Sequence, residues 1–115
     1  NLVNMVRKRT RLPLLSHCKR LDELAKYKSI MMQETGHFEH YHPNLPSVRS
    51  LLDSSGFRWK IAGENLALNY LNPEEAIEGW MQSKSHRDNI LEPDFNAHGS
   101  CRVGRYYTQL FSRFE

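Results

Sequence analysis

Cysteine is scarce in this chain of 115 residues: there are two, Cys18 and Cys101. Two thiols cannot build the disulfide framework of a small secreted miniprotein, nor a four-cysteine zinc centre. No apolar run approaches the roughly 18 residues that a membrane-spanning helix needs. Glycine (six) and proline (five) are too few for a collagen-like or low-complexity chain. The sequence has no Walker A loop, no nucleophile elbow and no H-E-x-x-H, and no serine, threonine or cysteine has a histidine and an acid arranged locally around it. Acidic residues are missing from the first 20 positions, which carry Arg7, Lys8, Arg9, Arg11, Lys19 and Arg20.

What is present describes a soluble, globular chain. Hydrophobic residues make up 39% and charged residues 25% of 13.5 kDa, enough for one domain with a real core over residues 1–115. The net charge of +3 comes from the N-terminus alone. That basic run reads as a solvated end, with contact to phosphate or anionic lipid as the alternative. No nucleic-acid recognition motif accompanies it, so a nucleic-acid partner is not expected. The chain opens on Asn1 and lacks a signal-peptide core, as expected of a processed chain or an excised domain, so the absence of a targeting segment says nothing about compartment. Cys18 and Cys101 either pair, closing a loop worth about 4 kcal/mol, or stand apart as small apolar residues.

Periodicity gives the elements. Residues 1–9 read as the end of a helix, and Leu12, Pro13, Leu14 and Leu15 as an apolar loop. A helix is expected over 19–35, where Leu21, Leu24, Ala25, Met31 and Met32 form one stripe and Gly36 ends it. Lys28 falls inside the stripe and is expected to snorkel or to sit at its edge. Residues 36–43 form a polar, aromatic loop, followed by a short helix over 46–54. Residues 59–68 read as extended, interrupted at Gly63. Asn72, Pro73 and Glu75 mark a helix start with capping-box spacing, the helix running to Ser83. Ser85 is expected to cap a short turn over 86–91. Two strands, 98–103 and 106–113, flank a turn at Gly104-Arg105. The fold class is α+β, with helices packed on a small antiparallel sheet.

Three places could carry chemistry. His37, His40 and His42 crowd one loop, and dense histidine tracts bind Zn²⁺ or Cu²⁺. Surface histidines in a polar loop are also common. Glu64 lies in the otherwise apolar stretch Ile61–Leu68, where a carboxylate needs a partner or a polar pocket. It is either a site residue or a structural acid held by backbone N–H groups. His86 precedes Arg87-Asp88-Asn89 at a helix start, where a plain surface histidine is the simpler reading.

Those residues lie in motifs that resemble a known family. Gly63-Glu64-Asn65-Leu66-Ala67 resembles the G-E-N-[IL]-A signature of the CAP superfamily, which takes in cysteine-rich secretory, antigen 5 and pathogenesis-related proteins. Phe38-Glu39-His40-Tyr41-His42-Pro43 is similar to the F-S-H-x-x-P pattern of its bacterial, SCP-like branch. Trp80-Met81-Gln82-Ser83-Lys84-Ser85-His86-Arg87-Asp88-Asn89-Ile90-Leu91 follows W-M-x-S-x-x-H-R-x-N-I-L. Tyr106 to Phe111 resembles the closing Y-x-T-Q-x-F strand. The four motifs occur in family order across residues 38–111.

The resemblance implies a three-layer α-β-α sandwich, an extracellular or secreted location, and a cleft carrying histidines and glutamates. Residue by residue, His40, Glu64 and His86 match the cleft positions. Ser83 replaces a second glutamate of animal and plant members, and Tyr106 replaces a second histidine, so the full His₂Glu₂ set is absent. Asn65 and Gln109 are expected to complete a polar floor, with Tyr106 as a neutral hydrogen-bonding partner. His40, Glu64 and His86 could serve as ligands for Zn²⁺ or another divalent cation with water in the fourth position. A monomeric binding module for a metal, a lipid or sterol, another small ligand or a protein partner is the reading the resemblance favours. The alternatives are a metal-dependent hydrolase and an interaction domain with a vestigial cleft. For a lipid, Leu12, Leu14, Leu15 and the methionines could line a groove, although such residues are more often core.

Overall fold

The structure is a computed structural model and describes residues 2–115. Four strands form one sheet in the order β1-β3-β4-β2: β1 is Ser16–His17, β2 Trp59–Leu68, β3 Ala97–Val103 and β4 Tyr106–Phe114. β4 pairs antiparallel with both β2 and β3. Five helices flank the sheet: α1 (Leu2–Arg9), α2 (Lys19–Thr35), α3 (Val48–Asp53), α4 (Pro73–Met81) and α5 (Lys84–Ile90).

The two faces of β4 explain the layers. Tyr106, Thr108 and Leu110 alternate with Tyr107, Gln109 and Phe111. Leu110 packs with Leu21, Leu24 and Ala25 of α2 and with Leu51 and Leu52 of α3. Tyr107 and Phe111 pack with Val3 of α1, Ala76 and Trp80 of α4, and Ile90 of α5. The result is an α-β-α sandwich with a core on each side of the sheet. Trp80 locks α4 down, because its indole N–H donates to Leu66 O at 2.9 Å.

Several expectations are corrected. β1 is only two residues long and pairs parallel with β3, with Ser16 N donating to Asn96 O and Cys18 N to His98 O. Two residues carry no readable alternation, so the sequence pattern missed it. β2 runs through Gly63 without a break. Glycine is needed there because a Cβ would stand 2.8 Å from Asn89 Oδ1 and 2.9 Å from Phe95. α4 ends at Met81 and α5 starts at Lys84, so Ser83 rather than Ser85 holds the cap position. Asn72 accepts from Glu75 N as expected, but the Glu75 carboxylate reaches back to Leu71 N.

Two cations are not solvated. Arg7 is fully buried and donates to the Pro13, Ile90 and Glu92 carbonyls at 2.8–3.0 Å, tying α1 to the end of α5. Lys28 is fully buried instead of snorkelling. Cys18 and Cys101 are both free thiols. No helix among the described residues is long and apolar enough to cross a membrane.

Candidate functional site

β2 is the free edge of the sheet, and the candidate residues gather around it. Side chains alternate along the strand, so Glu64 and Asn65 point to opposite faces. Glu64 pairs across with Leu110 on the α2 face; Asn65 pairs with Gln109 on the other. The expected single polar floor is thus two arrangements back to back.

On the α2 face Glu64 meets His40 and Lys28. His40 comes from the loop after α2 and donates from Nδ1 to Glu64 Oε1 at 2.9 Å. Its side chain is 47% exposed, whereas that of Glu64 is 2% exposed. In neutral His40 this bond leaves the Nε2 lone pair available. Lys28 Nζ stands 3.7 Å from the same Oε1 and donates to His40 O at 3.2 Å and Pro46 O at 2.8 Å. The ammonium therefore braces both the carboxylate and the backbone of the loop that carries His40. Burial pulls the Lys28 pKa down, and Glu64 opposes that shift. Glu64 Oε2 is buried and has no hydrogen-bond partner among the described residues.

On the other face Asn65 is fully buried and ties α5 to the sheet. Its Nδ2 donates to His86 O at 3.1 Å and to Gln109 Oε1 at 3.2 Å. Asn89 Nδ2 donates to Asn65 Oδ1 at 3.0 Å and Glu64 O at 3.3 Å. This network fixes where α5 starts and so where His86 sits. His86 Nδ1 is hydrogen-bonded to Ser83 Oγ at 2.9 Å. Burial lowers the His86 pKa, and the charge of a protonated His40 lowers it further. The two imidazoles, carried by opposite layers, are thus linked by charge alone, with burial the larger influence on His86.

Tyr106 stands apart from this group. It packs beside Met32, Leu45 and Leu66, with its ring 6.3 Å from that of Phe38. Among the described residues its hydroxyl makes no hydrogen bond to His40 or Glu64. Lys28, Ser83 and Asn89 are the partners that sequence reasoning did not assign. The signal for Lys28 was present: a cation on an apolar helix stripe and a lone acid in an apolar strand are each costly alone and compatible as a pair.

His40, Glu64 and His86 fit a metal shell poorly as they stand. Glu64 Oε1 is already engaged by His40, and an ion beside it would face the buried Lys28 ammonium. What the group offers is a buried acceptor, Glu64 Oε2, and two imidazole edges. A cavity of about 460 Å³ lies on the face of the sheet away from Glu64, lined by Val3, Ala76, Ile77, Trp80, Tyr107 and Gln109 among others. The residues expected to line a lipid groove are elsewhere: Leu15 of the loop and Met32 of α2 are core, and Leu14 is exposed.

Comparison with known proteins matches this geometry to one family. The model of the cysteine-rich secretory protein family matches residues 1–111. The protein YkwD of Bacillus subtilis (strain 168) is 37% identical over 112 residues, which is 96% of this chain and 44% of YkwD. A crystal structure of an extracellular protein containing an SCP domain from Bacillus anthracis superimposes with a TM-score of 0.93 at 32% identity, covering 97% of this chain and 38% of that one. An outer surface protein of Borrelia burgdorferi shares the fold with a TM-score of 0.87 at 19% identity, covering 99% of this chain and 88% of that one. The chain spans less than half the length of the curated relatives it matches. With a family match over nearly its whole length and the four-stranded sandwich that such structures share, the chain belongs to the CAP family, in its bacterial SCP-like form.

Proposed function

We propose that this CAP domain is an extracellular ligand-binding module whose recognition site is the His40–Glu64–His86 group at the free edge of β2. One observation carries the reading: Glu64 Oε2 is buried and unpartnered beneath a half-exposed histidine. A buried acceptor without a donor costs about 1–3 kcal/mol, and a ligand that supplies an N–H or O–H group would recover it. His40 Nε2 and the His86 edge would add directional contacts. The ligand class this favours is a small polar molecule rich in donors, such as a glycan or a peptide. The extracellular B. anthracis relative supports the location outside the cell.

The test is a titration of ¹⁵N-labelled protein with soluble glycan and peptide fragments, followed by NMR. The expected hit shifts the His40, Glu64 and His86 signals and is weakened by Glu64→Gln. A ligand that binds equally well to Glu64→Gln would remove the basis of the proposal.

A second reading rests on the 460 Å³ cavity between α1, α4 and the sheet. Its α1 and α4 walls are aliphatic and aromatic, which suits an acyl chain, while His98, Ser100, Arg102 and Gln109 on the sheet side could take a polar head. The same titration with a soluble fatty acid would shift Ile77 and Trp80 and leave His40 unmoved.

A further inference from the structure

The loop that carries His40 also holds a second convergence, made of residues that the β2-edge site does not use. His37, Glu39 and His42 each bring one ligand atom to within 4.8 Å of the others. Glu39 Oε2 is the shared centre: His37 Nδ1 and His42 Nε2 each lie 4.0 Å from it. The two imidazoles are stacked, with centroids 3.6 Å apart and planes inclined at 26°.

Local structure brings them together. Gly36 ends α2 in the left-handed conformation with φ at +74° and turns the chain away from the helix. A bridge between His42 and Leu45 folds the loop back. Asn44 N donates to His42 Nδ1 at 3.0 Å and aims the His42 ring. Two imidazoles and one carboxylate from six consecutive residues are a ligand set suited to Zn²⁺ or Cu²⁺ and poorly suited to Ca²⁺ or Mg²⁺.

We propose that His37, Glu39 and His42 form a surface site for one divalent transition-metal ion of the Zn²⁺ or Cu²⁺ class, with water completing the shell. Metal–ligand distances of about 2.0–2.2 Å place tetrahedral neighbours about 3.3–3.5 Å apart. The 4.0 Å separations therefore close by about half an ångström, within reach of side-chain rotation in a surface loop. The stack opens as it closes, because each ring plane must contain the ion. Binding at His42 Nε2 requires the ring proton at Nδ1, so the Asn44 N–H bond is given up. Metal binding thereby remodels residues 42–45 and ties down the loop that holds His40 over Glu64.

The test is calorimetric titration of the metal-free chain with Zn²⁺. It is run on wild type, His37→Ala, Glu39→Gln, His42→Ala, His40→Ala and Glu64→Gln, with the fold of each checked by circular dichroism. The expected result is one ion per chain, lost in His37→Ala and His42→Ala, weakened in Glu39→Gln, and retained in His40→Ala and Glu64→Gln. The Asn44 amide resonance of the wild-type chain, which needs no variant, should shift with saturation. The proposal is overturned by no binding, by binding that all six proteins share, or by binding lost only in His40→Ala or Glu64→Gln, which would place the ion at the β2-edge site instead.

Discussion

Lys28 and Glu64 face each other inside the protein, Nζ to Oε1 at 3.7 Å, with neither side chain open to solvent beyond 2%. The pair joins α2 to the edge strand and supports the only solvent-facing member of the cluster on that face, His40. Lys28→Met leaves the Glu64 carboxylate buried without its cation and releases the His40 and Pro46 carbonyls. We expect a loss of about 3–5 kcal/mol in urea unfolding. Lys28→Met/Glu64→Gln should recover part of it, since the stranded charge is gone. A double variant no more stable than the sum of the single losses predicts would show that the two residues are not coupled.

Asn65 tests the other half of the site. Asn65→Ala removes the donor to His86 O and Gln109 Oε1 and the acceptor of Asn89. Unfolding free energy should fall by about 2 kcal/mol, and the His86 resonances should move although His86 is unchanged. Unperturbed His86 signals would mean that α5 is positioned by packing alone.

His98 makes stability depend on pH. It is buried, and burial first, then the neighbouring His17, depress its pKa from 6.5 to about 4, against the pull of Asp22. Above pH 6.5 neither state holds the proton. Between about 6.5 and 4 the unfolded chain binds a proton that the folded chain refuses, so stability falls as pH falls. From pH 7.5 to 4.5 this contributes a loss of about 2–3 kcal/mol. His98→Gln should flatten that part of the curve; a variant with the same slope would assign the loss to other groups.

Two glycines separate crowding from backbone strain. A Cβ at Gly99 would lie 2.5 Å from Asp22 N and 2.6 Å from Leu21 Cβ, where α2 starts against β3. Gly99→Ala should cost about 2–3 kcal/mol. Gly36 has open space around it but a φ of +74°, so Gly36→Ala should cost about 1–2 kcal/mol. Chemical denaturation of both variants gives the order directly.

The helices and the long strands were legible because their signals are local. The α2 stripe, the Asn72-Pro73 start and the β4 alternation each lie within one segment. β1 was not legible, because two residues acquire strand character only from β3 beside them. The G-E-N segment pointed to Glu64, and the family motifs to His40 and His86. The sequence did not reveal that consecutive residues Glu64 and Asn65 serve opposite faces of the sheet, which depends on strand register. Nor did periodicity place Lys28 inside, since an amphipathic stripe says which face is buried and not which charges meet there. The burial of Arg7 was not legible for the same reason: two of its three carbonyl partners, Ile90 and Glu92, lie more than 80 residues away.

The most direct test of a single His40–Glu64–His86 site is the pH titration of the histidine rings by ¹⁵N NMR in wild type, Glu64→Gln and His40→Ala. The His40 ring is expected to be protonated at Nδ1 and to lose this tautomer preference in Glu64→Gln. The His86 pKa is expected to lie below the usual histidine value and to rise in His40→Ala. A His86 titration at the ordinary value, unchanged by His40→Ala, together with no tautomer preference at His40, would contradict a single site.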